Sequence, residues 1–351
     1  MKESATRSPQ PALPMLFPGV TIDPSSIRAA LVRDSGRIVA ERAVQTPTRT
    51  TRAAIEAVTE LLLDLAADQE RSGHGIESIG FAVAGRVDPT TGRVTIPELK
   101  GWTRLPLLAS VEAALDESGH DIRRPKGETR GRAVHSASAH PSMTVVPRAA
   151  AMAAGEAWSG AARGRRNVVY LSLGHQVEAG LLVEGRAILG ASGAAASVDW
   201  LAVRDEFKEE YAAAGCFGTE ATLGALPRHA IERWSGSADS VLAGLIKTDP
   251  TAVDAAMIVR SAAGGDTLAR AAVQESCRWI GRGLANLLSI LNPEVILLGG
   301  EFGRLLRPHL DDIREEARRW ISPETARQSR ILSATLGENA ALIGAARLAM
   351  K

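Results

Sequence analysis

At 351 residues, 45% of them hydrophobic, the chain is long enough to bury a large core and to form two domains rather than one. A formal net charge of +1 gives no electrostatic reason to expect a nucleic-acid partner or an anionic membrane surface. Two cysteines, Cys216 and Cys277, are too few for a disulfide framework or a four-thiolate zinc site, which suits a reducing cytoplasm.

Residues 1–16, MKESATRSPQPALPML, carry charge and prolines but no apolar run of the length a signal peptide or membrane span requires, and a disordered tail is expected there. The segment is too short and proline-rich for a helix-turn-helix, so no DNA-reading module is expected. GVTIDPSSIRAALV and GRIVAERAV read as two strands joined at Asp34, Ser35 and Gly36. In TRAAIEAVTELLLDLAAD, the residues Ile55, Val58, Leu62 and Leu65 recur at helical spacing. IESIGFAVAG supplies a short apolar strand, GRVDPTTGRVT a turn, and LPLLASVEAALDES a second helix.

The stretch 119–142 lacks apolar periodicity and holds Arg123, Arg124, Lys126, Arg130 and Arg132 against Asp121 and Glu128. It reads as a basic insertion, either a solvated surface loop or a contact for an anion or partner. Beyond it, a strand end at Val145 and Val146 leads through Pro147 and Arg148 into a helix, AAAMAAGEAWSG. In an open α/β sheet such a junction is where ligands and catalytic carboxylates gather, yet the residue there is a cation with no acid beside it in sequence.

NVVYLSLG then reads as a strand, and GLLVEGRAILG as a hairpin turning at Glu184 and Gly185. A long helix follows in AAVQESCRWIGRGLANLLSILN, with Val273, Ile280, Leu284, Leu287 and Leu288 on its apolar face, and feeds the strand PEVILLGG. Strand, hairpin, helix and strand occur twice, which implies duplicated α/β domains around a cleft.

The segments PGVTIDPSSIRAALV, IGFAVAGRVDPTTGRV, PELKGW, AAGEAWSGAARGRRNVVYLSLG, GLLVEGRAILGASGAAA, LNPEVILLGGEFG and LGENAALIGAARLA resemble, in order and spacing, the ROK family of sugar kinases and sugar-responsive repressors. The resemblance runs from about Gly19 to the C-terminus. It implies the actin-like ATPase fold, with ribonuclease H-like domains over 17–145 and 146–335. It also implies a C-terminal helix over 336–351 that packs back on the first domain.

At the chemical positions the chain departs from the family. The catalytic aspartate of the family's Asn-Asp-Ala-Asn stretch falls on Arg148, with Pro147 and Ala150 in place of the asparagines. A carboxylate that takes the sugar hydroxyl proton typically contributes 10²–10⁴-fold, and a permanently protonated guanidinium cannot act as that base. It can bind a phosphate or carboxylate bidentately. The phosphate turn Asp-x-Gly-x-Thr becomes Thr21, Ile22, Asp23, Pro24 and Ser25, and the second, glycine-rich loop becomes Gly174, His175, Gln176, Val177, Glu178, Ala179 and Gly180. Proline removes a backbone donor and Glu178 repels phosphate. Gly299 and Gly300 keep the adenosine-side pattern, which is also needed for packing.

The sugar and zinc segments are altered too. The Gly-Glu-x-Gly-His stretch falls on Ala196, Ser197, Val198, Asp199 and Trp200, and the sugar-reading asparagine falls on Glu98. Of the three zinc cysteines Cys216 remains, with Glu220 near the position of the following glutamate, so no zinc and no other metal is expected. The candidate ligand cleft is therefore Glu98, Pro147, Arg148, Ser197, Asp199, Trp200 and Glu220, and the nucleotide side is Asp23, Ser25, Gly174, His175, Gly299 and Gly300.

Three functions are compatible with these residues. A ROK protein that has lost phosphotransfer would bind a small ligand, a sugar or anionic sugar derivative, or regulate a partner. An active carbohydrate kinase would use MgATP with Asp23, Asp199 or His175 as the substitute. A structural subunit would pair with an active relative, and the resemblance implies a homodimer.

Overall fold

The computed structural model describes residues 16–70, 75–122, 140–234, 236 and 240–350. Residues 1–15 of the expected tail and most of the basic insertion, including its arginines and Lys126, lie outside the described residues. Leu16 already belongs to the first strand.

The N-terminal sheet is built from β1 (Leu16–Ile22), β2 (Ser26–Arg33), β3 (Ile38–Gln45), β4 (Ser78–Val83) and β7 (Ser142–Pro147) in the order β3-β2-β1-β4-β7. The small ribbon β5 (Arg86–Val87) and β6 (Val94–Thr95) intervenes in chain order. The C-terminal sheet repeats that order with β8 (Val168–Leu173), β9 (Val177–Val183), β10 (Arg186–Ala187), β11 (Val295–Gly299) and β12 (Arg330–Ser333), arranged β10-β9-β8-β11-β12. In both sheets the first strands form antiparallel hairpins and the later pairs are parallel.

One strand reading is corrected. GVTIDPSSIRAALV is two strands, β1 and β2, broken at Asp23–Ser25, because Asp23 N–H bonds back to Ser26 O at 2.9 Å and starts a hairpin. Asp34–Gly36 then joins β2 to β3 rather than closing the first hairpin. At Glu184 and Gly185, φ values of 51° and 76° make a tight turn of the kind that matches strand twist. Val146 and Pro147 pair with Ala82 and Val83, so the first sheet extends past residue 145.

Helices α1 (Thr51–Glu70) and α2 (Leu107–Ser118) cover the outer face of the N-terminal sheet, burying Val58, Leu62, Leu65, Val111 and Leu115. Helix α3 (Arg148–Ser159) follows β7. The C-terminal domain adds α4 (Tyr211–Ala214), α5 (Cys216–Glu220), α6 (Ala225–Arg233), α7 (Val241–Thr248), α8 (Ala255–Ala263) and α9 (Thr267–Leu291). Asp266 caps α9 by accepting from Ala269 N–H at 3.0 Å, and Asn292 ends it in a left-handed conformation. The buried face of α9 includes Val273, Ile280, Leu284, Leu287 and Leu288. Helices α10 (Gly300–Leu305), α11 (Leu310–Arg319), α12 (Pro323–Gln328) and α13 (Ala340–Ala349) complete the chain.

Two helices join the domains. Alanine and glycine dominate α3 and α13, which lets backbones approach where larger side chains would separate them. A Cβ on Gly344 of α13 would overlap the Ala151 carbonyl of α3. On its other side α13 lies against the first sheet, where a Cβ on Gly80 would meet the Ala345 carbonyl. Helix α3 seats on the second sheet in the same manner, Gly180 of β9 touching the Ala149 carbonyl. The stack is sheet, α13, α3, sheet, and the start of α3 emerges at the cleft.

Candidate functional site

The hairpin turn Asp23–Ser25, the first residue of α3 and the hairpin β8–β9 converge at the cleft. Arg148 sits at their meeting point. Its Nη1 donates to Asp23 Oδ1 at 2.5 Å, its Nη2 to Glu178 Oε1 at 2.6 Å and its Nε to Glu178 Oε2 at 3.3 Å. The cation that has no acid beside it in sequence has two in space, 125 and 30 residues away along the chain.

The three side chains are half-buried, at 27% exposure for Arg148, 18% for Asp23 and 27% for Glu178, so solvent screens them only in part. Burial works against the Arg148 charge, but the two carboxylates overcome it and hold the guanidinium above its ordinary pKa. Burial also raises the Asp23 carboxyl, and the Arg148 charge offsets this incompletely. With one cation and two acids the cluster is net negative.

MgATP fits these residues poorly at the phosphate end. Phosphate-binding turns work by aiming free backbone N–H groups at the anion. Here Asp23 N–H is used by Ser26 O, Gly174 N–H bonds to Gln176 O at 3.1 Å, and Pro24 has no N–H. Ser25 is exposed, and its carbonyl accepts from Thr46 N–H at 3.1 Å. The family's magnesium acid falls on Thr21, and Asp23, the acid two residues on, is held by Arg148. Among the described residues no group of three histidine, cysteine or acidic side chains is placed to hold a metal. Zinc does not fit either, since the Cys216 thiol accepts from Val203 N–H at 3.4 Å and Cys277 is buried apart.

Gly299 and Gly300 have packing reasons for their identity. A Cβ on Gly299 would strike the Tyr170 hydroxyl, and Gly300, at φ 77°, lies against the Leu173 backbone. His175 is exposed at the tip of the β8–β9 hairpin.

The expected sugar-side residues differ in their exposure and local contacts. Glu98 is exposed in a turn and Pro147 is half-buried at the end of β7. Ser197 is exposed and donates to Ala194 O at 2.9 Å. Asp199 lies on a single 3-10 turn, Val198–Trp200, and Trp200 is 54% exposed. Burial raises the Asp199 carboxyl above its ordinary value despite the Arg86 charge reaching it from the N-terminal domain.

Glu220 requires correction as a cleft residue, being fully buried at 0% exposure. The Tyr211 hydroxyl donates to its Oε1, while His229 Nε2 lies 2.7 Å and Arg228 Nη2 3.1 Å from its Oε2. Arg204 Nε sits 2.9 Å from Oε1. Burial alone would raise this carboxyl, but the hydrogen bonds from His229 and Tyr211 and the arginine charges bring it down to about 2. The glutamate that stood near a metal-binding segment in sequence is the hub of a buried polar network.

Glu156 is a structural residue that sequence reading missed. It is fully buried on α3 and accepts from Thr335 N–H and Leu336 N–H, each at 2.7 Å, and from Ala161 N–H at 2.7 Å. The acid in the middle of an otherwise alanine-rich segment was the available signal.

Two repeated α/β domains, linked by a helix pair and facing each other across an altered phosphate cleft, place this molecule among proteins of actin-like ATPase fold. The chain belongs to the ROK family, whose profile matches residues 18–120 and 140–351. It is similar to a glucokinase of Streptomyces coelicolor, 29% identical over 335 residues, with 94% of this chain and 96% of the relative covered. A xylose repressor of Caldicellulosiruptor bescii is 26% identical over 278 residues, covering 74% of this chain and 60% of the repressor. Among solved structures, the ROK family glucokinase of Streptomyces griseus in complex with glucose and AMPPNP superposes with a TM-score of 0.68 at 29% identity, covering 95% of this chain and 99% of the other.

Proposed function

We propose that this ROK protein does not transfer phosphate from ATP and acts by binding, with a sugar or anionic sugar derivative as the ligand of its cleft. The observation that carries this reading is the ion cluster Asp23–Arg148–Glu178. At three positions where ROK kinases have a catalytic base and two phosphate-loop glycines, the side chains here satisfy one another. A polyphosphate entering the cleft meets a net negative cluster whose cation is already spent on carboxylates.

Removal of an aspartate base alone would be a point defect. Replacing it with an arginine that pairs two acids from opposite domains turns a reaction centre into a structural contact. The relatives include a xylose repressor, which supports a non-kinase role on the same scaffold.

The test is sugar-dependent ADP release from MgATP over a panel of hexoses, acylamino sugars and their phosphates, beside thermal unfolding with the same compounds. No turnover is expected, with a rise in unfolding temperature from at least one sugar compound. Turnover with any sugar would defeat the proposal. The raised Asp199 carboxyl supports the competing kinase reading, in which Asp199→Asn would abolish that turnover.

A further inference from the structure

On the far side of the α3–α13 pair lies a groove of about 870 Å³, within the usual range for small-molecule sites. It spans the domain boundary. Asp34, Ser35 and Thr144 contribute from the N-terminal domain, and Glu184 and Gly185 from the β9–β10 turn of the C-terminal domain. The floor is apolar, formed by Trp158 of α3, Leu182 of β9, and Leu348 and Met350 at the end of α13.

The rim is cationic. Arg163, Arg165, Arg166, Arg186 and Arg347 line it, against Asp34 and Glu184. Arg165 pairs with Glu294 and Arg166 with Glu184, both at 3.2 Å. The guanidinium groups of Arg163, Arg186 and Arg347 make no hydrogen bond or ion pair among the described residues, although they come from three separate elements. Exposed on the rim of one groove, these guanidinium groups keep their donors available to a bound anion, which can accept them bidentately.

We propose that this groove is a binding site for a small organic phosphate, one whose phosphoryl group sits among Arg163, Arg186 and Arg347 and whose apolar or planar portion lies on Trp158 and Leu182. An arginine rim around an apolar floor selects an amphipathic anion over inorganic phosphate, which gains nothing from the floor, and over a neutral apolar molecule, which leaves the charges unpaired. The site is distinct from the ion cluster of the cleft and does not rest on the loss of phosphotransfer.

Its position gives binding a route to the cleft. Residues 178, 180 and 182 lie on one face of β9, so Glu178 of the ion cluster, the Gly180 contact with α3 and Leu182 of the groove share that face. Helix α3 carries Arg148 at one end and Trp158 about 15 Å along its axis.

Isothermal titration with 1-naphthyl phosphate, with 1-naphthol as the uncharged control, tests the assignment. The wild-type chain is expected to bind the phosphate saturably, more weakly as potassium chloride is raised, and to bind naphthol at least about tenfold more weakly. The double variant Arg163→Ala/Arg347→Ala is expected to lose about tenfold or more, and Arg186→Ala, on a different element, reads the same loss should the double variant fail to fold. The proposal is overturned by absence of saturable binding, by naphthol binding as tightly as the phosphate, or by arginine variants that bind unchanged, which would put the phosphate elsewhere, the cleft included.

Discussion

Arg148 has its meaning only through its partners. Removing it leaves Asp23 and Glu178 facing each other, half-buried and uncompensated, so Arg148→Ala is expected to destabilise by about 1–3 kcal/mol, less than a fully buried pair because solvent reaches the cluster. Adding Asp23→Asn and Glu178→Gln should return part of that loss, since two neutral amides do not repel; urea unfolding of the single and triple variants measures both. Glu220 makes a separate prediction, about pH. Its folded pKa, about 2, lies below the ordinary 4.5, so its stabilisation is complete above pH 4.5 and disappears as pH falls toward 2. At 1.36 kcal/mol per pKa unit that is about 3 kcal/mol, and Glu220→Gln should flatten the acid limb of the stability curve by this amount while lowering stability at neutral pH. An acid limb identical in the two proteins would show that the carboxylate is not held ionised by its network.

Among the elements, the α3–α13 pair depends on small side chains. Gly344→Ala sets a methyl group into the Ala151 carbonyl, backbone that cannot swing aside, and is expected to cost about 2–4 kcal/mol through separation of the two helices. Gly244 of α7 is the matched contrast, exposed and with nothing within 4 Å of its added Cβ. Gly244→Ala should stabilise by about 0.5–1 kcal/mol from helix propensity alone. The shift in denaturant midpoint should therefore have opposite signs in the two variants. In sequence the two glycines look alike, each within a helical segment. What separates them is the distance to another backbone, which a linear pattern does not carry.

For the molecule as a whole, the ion cluster joins a turn of the first sheet to a strand of the second through the first residue of the linking helix. Such a contact holds the cleft in the observed geometry. The variant Asp23→Asn/Glu178→Gln, which removes both acids, is expected to have a larger radius of gyration by small-angle scattering and faster proteolysis near the cleft. An unchanged scattering profile would mean that the α3–α13 stack alone sets the angle between domains.

Much of this was legible in the chain itself. Hydrophobic periodicity placed α1, α2 and α9, apolar runs placed β4, β8 and β11, and the collinear motifs identified the family, because local propensity and repeated order are properties of sequence. Substitution of the expected aspartate by Arg148 was legible too. The acids that meet it were not, for Asp23 and Glu178 are brought in by sheet topology from 125 and 30 residues away. The same physical reason moved Glu220 from an expected cleft into a buried network and left the arginine-rimmed groove unseen. Residue types and their periodicity determine which elements form and which faces they bury; only the packing of those elements decides which charges find partners and which line an open groove.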